Sequence, residues 1–176
     1  HIAALGGHVG VVSKLLEHGK CDLKIKDRDK MTVLHSAALG GSAQVIEMLM
    51  AKGAEKFINK TSCLRWTPLM VAADAGNLYA VRELLKHGAN VELTELKNKR
   101  TAFLLACENG CVKVAEEFIK DGRGIDVQDK KGQNALFLAS EKGSCEVVEL
   151  LLNQTKLGVN SVDQRGWSPL HIACLN

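Results

Sequence analysis

Proline is nearly absent, two residues in 176, and no low-complexity stretch accompanies it. A flexible Pro-rich or Gly/Ser spacer is thereby excluded, and the chain reads as one continuous folded array. Aromatic side chains are also scarce, at 4%. That argues against a core built on bulky rings; small residues must let thin helical layers press together. No apolar run approaches the ~18 residues that span a bilayer, so direct membrane insertion is not expected. Net charge is only +3, too little, without interleaved aromatics, for a nucleic-acid groove. A Gly-x-Ser-x-Gly elbow, a phosphate-binding glycine loop, a His-Glu-x-x-His helix and a paired-carboxylate constellation are all missing, so neither catalysis nor a cofactor is expected.

What is present is a long period. Gly7, Gly41, Gly76, Gly110 and Gly143 recur at steps of 34, 35, 34 and 33 residues, each preceded by a small pair such as Ala37-Ala38 or Ala72-Ala73. Aliphatic pairs follow at i, i+4 spacing, for example Val45-Ile46 with Leu49-Met50, and this lays down one apolar helical face per unit. A second glycine, at Gly19, Gly53, Gly88 and Gly122, closes that helix with a left-handed residue. The fifth unit has Thr155 there instead, and Asn153 or Gly158 is expected to share the task. A shorter helix precedes each small pair, capped by Thr32, Thr67, Thr101, Asn134 or Ser168, with Pro68 and Pro169 at its first position. Periods of this length signify stacked supersecondary units.

These residues resemble the ankyrin repeat, whose 33-residue unit carries a T-P-L-H-x-A signature. The best matches are Thr67-Pro68-Leu69-Met70-Val71-Ala72, Ser168-Pro169-Leu170-His171-Ile172-Ala173 and Leu84-Leu85-Lys86-His87-Gly88-Ala89. The resemblance covers the whole chain. It implies an all-α ankyrin-repeat solenoid of stacked antiparallel helix pairs with protruding hairpin-like fingers. Residues 1–176 form one such domain, with units at about 32–66, 67–100, 101–133 and 134–167 and partial units at 1–31 and 168–176. Both end units are cut inside a repeat, so a monomeric fragment of a longer array is expected. The second connector, Phe57 to Trp66, runs two residues long, and Lys30, Arg65 and Lys99 replace the fingertip glycine that Gly132 and Gly166 keep.

The six cysteines follow no framework. Cys107 and Cys174 occupy equivalent small-residue positions and read as buried hydrophobes. Cys107 and Cys111 at i, i+4 lack the second pair a zinc site requires. Reduced thiols favour the cytoplasm, with the nucleus as the other option. For His1, His35 and His171, in the T-P-L-H position, the resemblance implies a hydrogen bond tying one turn to its neighbour.

The resemblance implies a non-enzymatic scaffold that binds a partner protein through fingertips and the groove beside the first helices. The residue before each N-cap is Met31, Trp66, Arg100, Gln133 and Trp167, and the two tryptophans read as exposed anchors. Two residues before each first glycine stand Leu5, Leu39, Asp74, Glu108 and Glu141, a row passing from apolar to an acidic ladder ~20 Å long at ordinary helix spacing. Lys24, Lys26, Arg28, Lys30, Lys56, Lys60, Arg65, Lys97, Lys99 and Arg100 make the first three fingers basic against Asp27, Asp29, Glu92 and Glu95. Arrays of this family are substrates of an asparaginyl hydroxylase, and Val159-Asn160 fits the position it modifies. The alternative reading is a regulatory or mechanical segment of a larger multidomain enzyme or membrane channel.

Overall fold

A hydroxyl or amide begins the first helix of every repeat unit after the opening one, accepting a backbone N–H that the helix leaves unpaired. In the computed structural model, which describes residues 1–19 and 21–175, Thr67 accepts from Met70 N, Thr101 from Leu104 N, Asn134 from Phe137 N and Ser168 from His171 N. Thr32 closes a reciprocal capping box with His35. The first helices that follow are short because the next glycine is only a few residues away. They are α1 (Ile2–Leu5), α3 (Val33–Leu39), α5 (Pro68–Asp74), α7 (Ala102–Glu108), α9 (Ala135–Glu141) and α11 (Pro169–Ala173). The second helices are α2 (Val9–Glu17), α4 (Ala43–Ala51), α6 (Leu78–Lys86), α8 (Val112–Asp121) and α10 (Cys145–Gln154). Among the described residues the protein is helical, with one isolated bridge pair between Lys26 and Thr32.

The chain divides into two compact units, 1–90 and 91–176. In unit 1 the first helices α1, α3 and α5 pack side by side, and α2, α4 and α6 form the layer behind them. Leu34, Ala37, Ala38, Val45, Ile46, Leu49, Leu69, Ala72, Ala73, Val81 and Leu84 are buried between the layers. The alanines allow close approach: a side-chain carbon on Gly40 would come within 2.1 Å of the Leu5 carbonyl oxygen. In unit 2, α7, α9 and α11 stack before α8 and α10. Its core adds Phe103, Phe118 and Phe137 to the aliphatics, and the Phe103 and Phe118 rings meet edge to face at 6.0 Å. A fully buried side chain of this size contributes about 1.5–3 kcal/mol relative to exposure.

Gly19, Gly53, Gly88 and Gly122 are left-handed, as the repeat pattern predicts. The fifth unit ends differently from expectation. Asn153 lies inside α10, Gly158 has no left-handed backbone, and Thr155 closes the helix unaided, its extended N–H and its hydroxyl both donating to the Leu151 carbonyl, the hydroxyl at 2.6 Å. A 3₁₀ turn at Ala54–Phe57 leads into the long second connector, Phe57 and Ile58 are buried where the two meet, and Asn59 Oδ1 accepts the Asn90 N–H at 2.9 Å. Cys107 is buried and its thiol pKa is pushed up by that burial. Cys174, by contrast, is exposed: it caps α11, and no described helix follows to cover it. Cys107 and Cys111 do not share a helix, because α7 ends at Glu108 and Cys111 caps α8.

Candidate functional site

The fingers share one frame. The N–H of Asp27, Ser62, Glu95, Asp129 and Asp163 donates to the carbonyl of Met31, Trp66, Arg100, Gln133 and Trp167 respectively, at 2.9–3.0 Å. The same opening residue turns its side chain inward to accept backbone N–H groups. Asp27 Oδ1 takes Asp29 and Met31, Asp129 Oδ1 takes Lys131 and Gln133, and Asp163 Oδ1 takes Arg165 and Trp167. Ser62 accepts from Trp66. The third finger is one residue longer, and there Glu95 supplies the extra methylene that reaches Lys97, Asn98 and Arg100. Asp27 and Glu95 are therefore part of the finger frame, although the sequence presents them as surface charges. The available signal was a carboxylate or hydroxyl five residues before four of the N-caps and six before Thr101.

Neighbouring fingers are tied within each unit. Cys63 N–H donates to Asp29 O at 2.8 Å in unit 1; in unit 2, Lys130 N–H donates to Asn98 O and Gln164 N–H to Lys131 O. His35 makes the tie that the resemblance implies. Its Nδ1 accepts the Thr32 N–H at 3.1 Å, and the neutral tautomer with a proton on Nε2 donates to Trp66 O at 3.0 Å. Burial lowers the His35 pKa, which keeps the ring in that neutral form. Asp163 goes the other way for an acid: burial opposes its ionisation, but the Trp167 and Arg165 N–H groups and the Arg165 guanidinium outweigh that and hold its carboxyl below the usual range.

The five residues before the N-caps do not form a uniform exposed row. Met31, Trp66 and Trp167 are half-buried, and the Arg165 guanidinium lies 4.7 Å from the centre of the Trp167 ring. Arg100 and Gln133 are buried, which corrects their reading as surface positions. Arg100 Nε donates to Asp129 Oδ2 at 3.3 Å and Nη1 donates to Glu108 Oε2. These two carboxylates offset the cost of burying the guanidinium. Gln133, 1% exposed, has no hydrogen-bond partner among the described residues at either amide atom.

The acidic ladder is similarly altered. Glu108 is held by Arg100 with Lys142 at 4.0 Å, so its charge is compensated within the protein. Asp74 and Glu141 are half-buried. At the apolar end of the row, Leu5 and Leu39 are 44% and 46% exposed. Asn160 is exposed in the connector after α10. A cleft of about 320 Å³ in unit 1, lined by Ala4, Val12, Leu16, Leu23, Val33 and Leu49 among others, contains none of these candidates. Among the described residues, no group of three or more His, Cys, Asp or Glu is placed to hold a metal ion, and no helix is long and apolar enough to cross a membrane.

Paired helices, left-handed glycine closures and N–H-capped fingers define a repeat protein, and the family model for ankyrin repeats in three copies matches residues 1–60, 56–129 and 103–176. The chain belongs to the ankyrin-repeat family. It is 37% identical over 92 residues to a transient receptor potential cation channel subfamily A member 1 homolog of Caenorhabditis elegans, covering 52% of this chain and 7% of that protein. It is 41% identical over 73 residues to the probable E3 ubiquitin-protein ligase XBOS31 of Oryza sativa, covering 42% of this chain and 16% of that one. The chain thus spans a small part of the length of these relatives. Among solved structures, a chain in the complex of the Bd0816 predatory endopeptidase from Bdellovibrio bacteriovorus with immunity protein Bd3460 superposes with a TM-score of 0.83 at 25% identity, over 98% of this chain and 89% of that one.

Proposed function

We propose that this chain is a non-catalytic recognition module for a partner protein, working through its fingers and the adjoining ends of its first helices. Ankyrin repeats are generally protein-interaction modules. The observation that carries the reading is the half-buried state of Trp66 and Trp167. Each backbone is fixed by its finger frame, yet part of each large ring stays open to solvent, and such rings are favoured interface anchors. The matched segment 56–129 runs without a break across residue 90, which supports treating residues 1–176 as one array. Asn160, exposed beside Val159, is the position we assign for asparaginyl hydroxylation. The cytoplasm or nucleus is the compartment in which six free thiols persist.

Pull-down with wild-type protein and with Trp66→Ala and Trp167→Ala tests the reading. Recovery of a specific partner should fall in at least one variant while the helical signal is unchanged; equal recovery from all three removes the tryptophans from the binding surface. A second reading is favoured by the length of the relatives: the array serves as a regulatory or mechanical segment inside a larger enzyme or channel. Deleting the array from the full-length protein and finding regulation unchanged would refute it.

A further inference from the structure

Among the described residues, the non-glycine residues with positive φ are Lys30, Arg65 and Lys99, at 61°, 62° and 58°. All three occupy the fingertip position, where Gly132 and Gly166 adopt 78° in the last two fingers. A side chain is strained in this region and glycine is not, so stability alone favours glycine at every fingertip. Where it is absent, the replacement is a cation each time. Strain held at a surface position with one charge in common points to a use for the charge.

Unit 1 shows what the charge adjoins. Lys24, Lys26, Arg28, Lys30, Lys60 and Arg65 are all exposed. Ion pairs among the described residues of unit 1 include Lys14 with Glu17 and Glu83 with Lys86 and His87, and these six cations belong to none of these. Among the acids of the first finger, Asp22 and Asp27 each have one carboxylate oxygen committed to backbone N–H groups. The Cys63 to Asp29 bond keeps the first two fingertips together. Three residues after Lys30, the chain enters α3, whose exposed line descends through half-buried Ser36 to Leu39, about 10 Å along the axis. Asn77 Nδ2 donates to the carbonyls of Ala38 and Leu39 at 3.0 and 2.8 Å. It thereby brings the start of α6, with Tyr79 at 68% exposure, to the same rim.

From this juxtaposition we infer that unit 1 docks an acidic segment of a partner protein that also carries leucine or phenylalanine side chains, its carboxylates meeting Lys30 and Arg65 and its apolar groups meeting Leu39 and Tyr79. The inference rests on the proposed recognition role and gives it a partner chemistry. A pure polyanion would use the fingertips and leave the apolar rim idle. A basic segment would meet six repelling charges.

Fluorescence anisotropy with a labelled synthetic peptide of Glu and Leu in i, i+4 alternation, and with a second peptide bearing Lys for Glu, tests the assignment. The Glu peptide should bind at least about tenfold more tightly than the Lys peptide, with affinity falling as salt rises. The double variant K30G/R65G should weaken it about tenfold while its urea midpoint stays equal or rises, because glycine relaxes both fingertips; this separates lost charge from lost folding. Leu39→Ser should weaken binding severalfold without changing the salt dependence. Equal binding of the Lys peptide, unchanged binding by K30G/R65G, or full competition by inorganic polyphosphate together with an inert Leu39→Ser would each overturn the proposal. If the Glu peptide fails to bind while a Trp66-dependent partner is still recovered in pull-down, the acidic chemistry falls and the recognition role stands.

Discussion

The fingers of unit 1 and those of unit 2 are built on the same closing hydrogen bond, yet they are finished in opposite ways. In unit 1 the fingertips are strained cations and the residues above the N-caps, Met31 and Trp66, are partly open. In unit 2 the later fingertips are relaxed glycines, and Arg100 is buried between Glu108 and Asp129. One set keeps charge on the outside at the expense of backbone comfort; the other folds its charge inward. The contrast separates positions that stabilise the repeat from positions free to meet another molecule.

The largest effect should come from the buried pair. Asp129 and Asp27 accept the same kind of backbone bonds, but only Asp129 also faces a buried guanidinium. Asp129→Ala should destabilise by about 3–5 kcal/mol, because Arg100 loses one of its buried partners. Asp27→Ala, at an exposed carboxylate that keeps only backbone N–H bonds and no buried cation, should lose about 1 kcal/mol. Urea unfolding of both variants measures the difference; equal losses would mean that the ion pair adds nothing beyond the finger frame.

His35 comes next. His35→Ala removes a buried ring and one of the two donors to Trp66 O, leaving the Ser62 N–H, for an expected loss of about 2–3 kcal/mol. The folded-state pKa lies below the ordinary value of 6.5, so the unfolded chain takes up the proton first. Stability from this group is therefore complete above pH 6.5 and declines as pH falls from there toward the folded-state value. Denaturant midpoints between pH 7.5 and pH 5 should slope in the wild type and flatten over that window in His35→Ala. A parallel slope in the variant would assign the titration to another group.

Which of these features could be read from the chain follows from their range along it. Caps act over three residues, the helix-closing glycines over four or five, and both repeat at one period, so Thr67, Thr101, Asn134, Ser168 and Gly122 were legible as structure. The family itself was legible for the same reason. Arg100 was not, because its partners lie eight and 29 residues away, at the end of α7 and in the next finger, and meet it only in the folded stack. Gln133 sits at an equivalent offset to Trp66 and Trp167, and nothing in the offset foretells its burial. Asp27, Asp129 and Asp163 were regular enough to be seen, but a carboxylate in a polar turn looks like surface charge until the N–H groups it accepts are known.

Gln133 then offers a smaller test of the same contrast. Three of its four equivalents are apolar, and its own amide is buried without a partner among the described residues. Gln133→Met keeps the volume and removes the unsatisfied groups, so it should stabilise unit 2 by about 1–2 kcal/mol. A loss of stability would show that the amide takes part in bonding.

The smallest effects are those at the fingertips, and they bear most directly on function. Lys30→Gly, Arg65→Gly and Lys99→Gly should each raise stability by about 0.5–1 kcal/mol, since each relieves a left-handed side chain and removes an exposed one. The reciprocal Gly132→Lys should lower it by a similar amount. Because the cations project into solvent, nothing else in the fold compensates, and the three substitutions should be additive within a few tenths of a kcal/mol. If glycine instead destabilises the fingertips, these lysines and the arginine support the finger frame, and their charge needs no partner to account for it. If glycine stabilises them, the native residues are retained against a simple route to greater stability, and the acidic-segment surface of unit 1 is where that concession would be used.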